Sequence, residues 1–171
     1  MRVFVAIKAP DNIRSFVLQI QRSIPLNVRW IPPENLHVTL LPPWEADELE
    51  TEAIVQKLMK IDLPKISTRF KSVSFGPSLK EPRLIWLAAH PSKELAALKS
   101  CIETALEIKC PERDFTPHIT IARFKPGDFT KFNIKDLNID IDWNMEIGSF
   151  ALIRSMLTKE GAIYSTIKEI G

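Results

Sequence analysis

Short segments in which apolar and polar residues alternate predict that β-strands make up much of this chain. Residues 2–8 alternate around Val3, Val5 and Ile7, a period of two that is typical of a strand with one buried face. Phe4 then points to the opposite face of the same strand. The chain is therefore expected to open on a strand with an aliphatic face and an aromatic side chain opposite it.

Two pairs of strands separated by turn residues predict antiparallel hairpins. The first pair spans residues 66–75 and 83–89 around a Gly-Pro turn, and the second spans residues 147–158 and 162–170 around Lys-Glu-Gly. We expect the first hairpin to complete the first half of the molecule and the second to end the chain. The polar segment 125–138 is expected to be a loop with a short helix.

Three segments place apolar residues at helical spacing. They begin near Asp11, Ala46 and Ser92 and end before Pro25, Pro64 and Pro111. Asp11 and Ser92 are expected to cap the first and third helices. The second helix is expected to bury one apolar stripe, which comprises Ala46, Leu49, Ala53, Ile54, Leu58 and Ile61. Helices and strands in this order indicate an α+β fold with mostly antiparallel sheet.

The composition is that of an ordinary folded protein. The 171 residues, of which 45% are hydrophobic, fit one compact domain or two closely joined halves. The net charge of +2 is too small to require nucleic acid as a partner, but it allows a local basic patch over an anionic substrate. No apolar run is long enough for a signal peptide or a membrane span, so we expect a cytoplasmic protein without a membrane partner.

The strongest functional signal is a four-residue pattern that occurs twice. Residues 37–40 (HVTL) and 118–121 (HITI) each contain His, a β-branched residue, Thr and an aliphatic residue, and the two histidines are 81 positions apart. In a strand, the His and the Thr of each motif share one face while the aliphatic residues take the other. The repetition predicts two half-domains, each presenting an imidazole beside a hydroxyl.

Two such histidines suit acid-base chemistry at phosphorus. Near neutral pH, His37 and His118, with ordinary pKa values of about 6.5, can act as a neutral base and a protonated acid. One would deprotonate the attacking oxygen and the other would protonate the leaving oxygen. Thr39 and Thr120 can donate hydrogen bonds to the non-bridging phosphate oxygens.

Other chemistries fit the sequence less well. A metal site would need more ligands than two histidines, and His90 has no Asp or Glu at a convincing spacing. The chain has no GxGxxG motif, P-loop or nucleophile elbow. Cys101 and Cys110 are expected to be free thiols. A structural role would suit either histidine alone, but it would leave the repeat unexplained. Because the ligands for a metal and the motifs for a cofactor are missing, we expect no metal and no cofactor.

Five segments of the chain carry a resemblance to a known family. They are RVFVAI, VRWIPPENLHVTL, RLIWLAA, FTPHITIARF and SMLTKEGAIYSTI, which together extend over nearly the whole chain. The paired HxTx tetrapeptides within them resemble the signatures of the 2H phosphoesterase superfamily. Most of all, the chain is similar to the RNA 2',3'-cyclic phosphodiesterases, also called 2'-5' RNA ligases.

The resemblance implies a fold, an active site and a reaction. The fold is a single bilobal domain over residues 1–171, with two interleaved, pseudo-twofold-related α+β lobes around a central cleft and helices outside. Hydrolysis of a 2',3'-cyclic phosphate to a 2'-phosphomonoester is the implied reaction, with reversible 2'-5' joining of RNA ends as a further activity. The usual assignment makes His37 the acid and His118 the base, although the sequence itself does not distinguish their roles.

Two more residues are candidates for substrate contacts. Arg123 matches the arginine that follows the second motif in this family, where it would contact phosphate. Strict alternation puts it on the face opposite His118, so this role needs a bulge or strand end near Ala122. Phe4 can stack a base or belong to the core. Residues 41–44 (LPPW) depart from the Lys-Phe-Leu-Gly of many relatives, which leaves substrate preference open.

Three functions remain open at this stage. The first is a cyclic phosphodiesterase acting as a monomer on RNA ends or cyclic nucleotides. The second is a related activity on a small cyclic nucleotide or a 2'-5' oligonucleotide. The third is a non-catalytic nucleotide- or RNA-binding module, which permanently charged Arg or Lys would serve at least as well as His.

Overall fold

The structure is a computed structural model that describes residues 1–108, 110, 115–159 and 161–171. Its strands are β1 (Arg2–Lys8), β2 (Arg29–Trp30), β3 (His37–Glu45), β4 (Ile66–Gly76), β5 (Leu84–Ala89), β6 (His118–Arg123), β7 (Asn138–Ile147), β8 (Phe150–Leu157) and β9 (Ala162–Ile170). Its helices are α1 (Asp11–Ser23), α2 (Glu48–Leu58) and α3 (Lys93–Leu106). The predicted α+β fold is confirmed.

All strands belong to one antiparallel sheet in the order β7-β4-β5-β6-β3-β1-β8-β9, with β2 pairing separately with β6. The centre of this order is the junction of β6 and β3, where Val38 lies opposite Ile119. The hairpin β4–β5 lies on the β6 side of that junction. The expectation that this hairpin completes the first half is therefore wrong, because its edges pair with β6 and β7. The bilobal division of residues 1–171 stays a prediction.

The three helices contribute to one hydrophobic core with the sheet. Val3, Val5 and Ile7 of β1 are buried in it, together with residues such as Ile13 of α1 and Leu95 of α3. The other face of β1 contributes to a second, small cluster, whose members are Phe4, Ala6, Ala151 and Ile153. The sheet therefore carries the helices on one face and leaves part of the other face for a site.

Both predicted hairpins are present, but one strand was missed. The segment 138–147 forms β7, which pairs with β4 along its length. Its apolar residues alternate with Asn, Asp and Glu, and this period of two indicates a strand despite the polar composition. The strand predicted to begin at residue 147 is in fact the end of β7 followed, after a turn, by β8.

The helix ends differ in how they are capped. Ser92 accepts a hydrogen bond from the Leu95 amide, as predicted for α3. Asp11 is the first residue of α1 and Pro10 occupies the cap position, so the prediction that Asp11 caps this helix is wrong. In α2, Leu49 is 77% exposed, which shortens the predicted apolar stripe. None of the helices in the described residues is long and apolar enough to span a membrane.

Candidate active site

The two HxTx motifs meet at the centre of the sheet. His37 begins β3 and His118 begins β6, and these strands run antiparallel through the pair Val38 and Ile119. This register places His37 level with Thr120 and Thr39 level with His118. The two motifs therefore cross each other about a local twofold axis.

The faces of the two strands agree with the prediction from alternation. Val38 and Ile119 are each 0% exposed and belong to the main core. The histidine and threonine of each motif are half-buried. Both motifs consequently present an imidazole and a hydroxyl on the face of the sheet that lies away from the helices.

A β-bulge follows the threonine of the first motif. Ala6 of β1 pairs with Thr39 and Val5 pairs with Leu41, so Leu40 is an extra residue in β3. Leu40 and Leu41 are consequently both buried. At Leu41 and Pro42, the side chains of β3 have consequently exchanged faces relative to strict alternation, and a second register shift follows before Trp44.

The second motif has a bulge at the same position. Trp86 of β5 pairs with Thr120 and Ile85 pairs with Ala122, so Ile121 is the extra residue in β6. Ile121 and Ala122 are both buried. The two motifs therefore share a local backbone irregularity as well as a sequence pattern.

Each imidazole is held by the backbone two residues before it. The Nδ1 of His37 lies 2.6 Å from the carbonyl oxygen of Asn35, and the Nδ1 of His118 lies 2.8 Å from that of Thr116. A carbonyl oxygen only accepts, so both Nδ1 atoms carry the proton in these bonds. Nε2 of each ring is thereby available for proton transfer.

The surroundings disfavour the charged form of both histidines. Burial lowers the pKa of His37 to about 4, and the positive charges of Arg123 and His118 add to the shift, against the opposing effect of the Asn35 bond. Burial also lowers the pKa of His118, and Arg123 again adds to the shift. Both imidazoles are consequently neutral near pH 7 in the free protein.

Arg123 lies on the same side of the sheet as the histidines. The bulge at Ile121 reverses the alternation before it reaches Arg123, which fulfils the condition set by the sequence for a role in the cleft. The positive charge of Arg123 lowers the pKa of both His37 and His118. The structure therefore brings together the five polar candidates, namely His37, Thr39, His118, Thr120 and Arg123.

The two motifs differ at the residue after the bulge. Pro42 lies 81 positions before Arg123 and occupies the equivalent place in β3. Both residues are exposed, but only the arginine carries charge. At this position, positive charge therefore enters the site from the second motif only.

The first histidine packs among aromatic rings. The Phe4 ring centroid is 5.1 Å from that of His37, and the Tyr164 centroid is 5.3 Å from it. Phe4 is only 2% exposed and also contacts Tyr164. Of the two roles that the sequence left open for Phe4, its burial favours the core position, because neighbouring side chains cover its ring. The Phe4 ring packs against the imidazole of His37.

The second histidine has one aromatic neighbour. The Trp86 ring centroid is 4.8 Å from that of His118, and Trp86 Nε1 donates a hydrogen bond to Ser74 Oγ at 3.1 Å. The indole lies directly over Gly76, where an added Cβ would clash with its ring atoms. Trp86 therefore lies beside His118, a position that the sequence pattern did not predict.

Sequence reasoning also did not single out Tyr164, Arg29 and Arg83. Tyr164 contacts His37, and both arginines act electrostatically on Arg123. All three lie within the segments that carry the family resemblance, which was the available signal. No group of three His, Cys, Asp or Glu side chains that could hold a metal ion occurs among the described residues.

Comparison with known proteins identifies the family. The model of the 2'-5' RNA ligase superfamily matches residues 9–157. This chain belongs to the 2'-5' RNA ligase superfamily. The matched range covers most of the chain and contains both HxTx motifs.

Full-length relatives agree with this assignment. The chain is 30% identical to a Methanocaldococcus jannaschii protein, over 99% of both chains, and 29% identical to an Archaeoglobus fulgidus protein, over 98% of both. Each is named RNA 2',3'-cyclic phosphodiesterase. The crystal structure of TT0787 from Thermus thermophilus superposes with a TM-score of 0.81 at 23% identity, covering 99% of this chain and 97% of that one. This protein therefore has the same fold as TT0787.

Proposed function

We propose that this protein is an RNA 2',3'-cyclic phosphodiesterase that uses His37 and His118 as its acid-base pair. The observation that carries the proposal is that two imidazoles from adjacent strands are fixed through Nδ1, which leaves both Nε2 atoms for proton transfer. The names of the full-length relatives support the same reaction. A cytoplasmic location and a monomeric state stay predictions of the sequence.

The proposed hydrolysis transfers two protons. One histidine takes a proton from water as the water oxygen forms a bond to phosphorus, and the bond from phosphorus to O3' breaks. The other histidine donates a proton to O3', which leaves as a hydroxyl. The product is a 2'-phosphomonoester, and the two histidines end with their protonation states exchanged.

Thr39, Thr120 and Arg123 are proposed to hold the phosphate. Each threonine lies level with the histidine of the other motif, so its hydroxyl can donate to a non-bridging oxygen of the same phosphate. Arg123 adds a charge near both rings. A guanidinium suits this task because it can donate two parallel hydrogen bonds to phosphate.

The lowered pKa values give the substrate a second role. An acid must be protonated before it can donate, and a pKa of about 4 leaves His37 neutral at pH 7 in the free protein. A bound phosphate brings negative charge that offsets Arg123 and raises the pKa of both imidazoles. The assignment of His37 as acid therefore requires that the substrate itself promotes protonation, whereas His37 is suited to be the base without such help.

Replacing Arg123 by Gln should raise the pKa of both histidines. The substitution removes a positive charge that disfavours each imidazolium, and it leaves burial as the main cause of the remaining shift. NMR titration of the imidazole Cε1 protons measures the change. Arg2→Gln, which removes a charge from an exposed residue opposite Glu45, is the control. Unchanged titration in Arg123→Gln would place the guanidinium away from the rings.

Product analysis tests the proposed reaction. An oligonucleotide with a 2',3'-cyclic phosphate end should be converted to a 2'-phosphate end, and the acid-base mechanism requires no change in rate on adding a chelator. A 3'-phosphate product would show that O2', and not O3', is the leaving oxygen. Binding of the oligonucleotide without turnover would indicate a binding module. Incubation with a second RNA carrying a 5'-hydroxyl tests 2'-5' ligation separately.

A further inference from the structure

Three arginines occur side by side where three strands meet. Arg29 of β2 lies directly opposite Arg123 of β6. On the other edge of β6, Arg123 pairs with Leu84, and Arg83 is the residue before Leu84. The Phe124 amide donates to the Arg83 carbonyl at 3.0 Å, which holds this third arginine at the same level.

These three guanidinium groups bring like charges close together. Like charges directly opposite on neighbouring strands destabilise a sheet. In the part of the chain that the structure describes, no Asp or Glu forms an ion pair with Arg29, Arg83 or Arg123. Partial desolvation lowers the pKa of Arg123, Tyr164 opposes this shift, and the positive charges of Arg29 and Arg83 add to it. An anion at this place would offset the repulsion.

The arginines line an open cavity of about 750 Å³. Lys125 and Phe124 also line it, as does Asp128. The Asp128 carboxylate lies 3.3 Å from Lys131 Nζ and accepts a hydrogen bond from the Lys125 amide, so these groups partly neutralise it. The cavity is therefore positive on balance and large enough for part of a nucleotide chain.

The cavity adjoins the catalytic candidates without including the histidines. Arg123 belongs to both places, since it lines the cavity and acts on both imidazoles. Along β6, it follows Thr120 by three residues, which corresponds to about 10 Å in a strand and less across a bulge. A nucleic acid chain with one phosphate between the histidines could thus place a neighbouring phosphate in the cavity.

We propose that Arg29 and Arg83, with Lys125, bind the phosphate on the 5' side of the substrate's terminal nucleotide. The proposal rests on the proposed function, because it takes the cyclic phosphate at the histidines as its reference point. Arginine binds phosphate through paired hydrogen bonds and keeps its charge at any physiological pH. The site would make the enzyme favour phosphate-bearing chain ends over a cyclic nucleoside phosphate with a free 5'-hydroxyl.

Three substrates distinguish the sources of that phosphate. The first is a cyclic mononucleotide with a free 5'-hydroxyl, the second is the same compound with a 5'-phosphate, and the third is a dinucleotide ending in the same cyclic phosphate. The 5'-phosphate and the internal phosphodiester share the proposed location. We expect kcat/KM for the second and third substrates to exceed that for the first by about 10–100-fold, as expected for hydrogen bonds to charged groups.

The double variant Arg29→Gln/Arg83→Gln should abolish most of this preference. The ratio of kcat/KM between the phosphate-bearing substrates and the first should fall by about 10–100-fold, mainly through KM, because uniform binding energy is lost. Arg2→Gln/Arg22→Gln removes the same charge at exposed positions outside the cavity and should keep the ratio. Since each ratio is measured on one variant, partial unfolding does not alter it.

The possible outcomes decide between the two proposals. Equal kcat/KM for all three substrates in the unmodified protein, or an unchanged ratio in the double variant, would overturn the subsite. Loss of preference only for the dinucleotide would assign the cavity to the second nucleoside instead of the phosphate. If the unmodified protein hydrolyses none of the three, the proposed function fails.

A binding measurement then decides the subsite independently of turnover. A labelled single-stranded RNA with a 3'-terminal phosphate is titrated at several salt concentrations. Losing the contact to this one phosphate should reduce the slope of log affinity against log salt by about 0.7. An equal slope in Arg29→Gln/Arg83→Gln and the unmodified protein would overturn the subsite.

Discussion

His118→Ala is expected to lower kcat for a 2',3'-cyclic phosphate by about 10²–10⁴-fold, and His37→Ala should have an effect of the same size. Each substitution removes one of the two proposed proton-transfer groups and leaves the proposed phosphate-binding groups, the two threonine hydroxyls and Arg123, in place. Affinity for the 2'-phosphate product should change far less than kcat. Steady-state kinetics and calorimetric titration with the product measure the two effects.

The chain contains a matched control for these variants. His90 is the third histidine, and it is exposed just beyond the end of β5. His90→Ala should retain the kcat of the unmodified protein. Full activity in either His37→Ala or His118→Ala would rule out the two-histidine mechanism, and an equal loss in all three variants would point to a general effect on the protein.

Phe4→Ala is expected to destabilise the protein by about 3–5 kcal/mol. The ring is 2% exposed and fills a small cluster with Ala6, Ala151 and Ile153, in which the short alanine side chains cannot close the resulting cavity. Removing the ring also takes away a contact of His37. Urea unfolding measures the loss of stability, and imidazole NMR reports the environment of His37.

Two comparisons separate packing from substrate contact in Phe4→Ala. Phe70→Ala removes a ring that is 0% exposed in the main core and should lose similar stability without changing the His37 resonance. Phe4→Leu should recover part of the stability, because it refills part of the cavity. If Phe4→Ala kept its stability and only raised KM, the ring would be a substrate contact after all.

The site combines a symmetric pair with an asymmetric charge. His37 and His118 share the same bond to the backbone and the same bulge after the threonine. Arg123 has its counterpart in Pro42, so positive charge enters from one motif only. In the proposed mechanism, this difference and the nearby arginines would give the reacting phosphate a preferred orientation between two otherwise similar imidazoles.

Much of the fold was predictable because it depends on local patterns. The alternation in residues 2–8 predicted β1, and the turn residues predicted both hairpins. Asp11 and β7 show the limit of this reasoning. A residue that can cap a helix does so only if the chain enters at the right angle, and the polar composition of β7 hid its period of two.

The sequence by itself determined which residues form the two HxTx motifs and which face of each strand they occupy, because alternation along a strand is a property of the local backbone. Only the tertiary structure decided that His37 and His118 meet, since their strands pair across 81 positions of sequence. It also decided the burial of Phe4, the position of Trp86 and the alignment of Arg29 with Arg123. These features depend on which strands are neighbours and on the registers between them, and neither is encoded in the spacing of residues along a single segment.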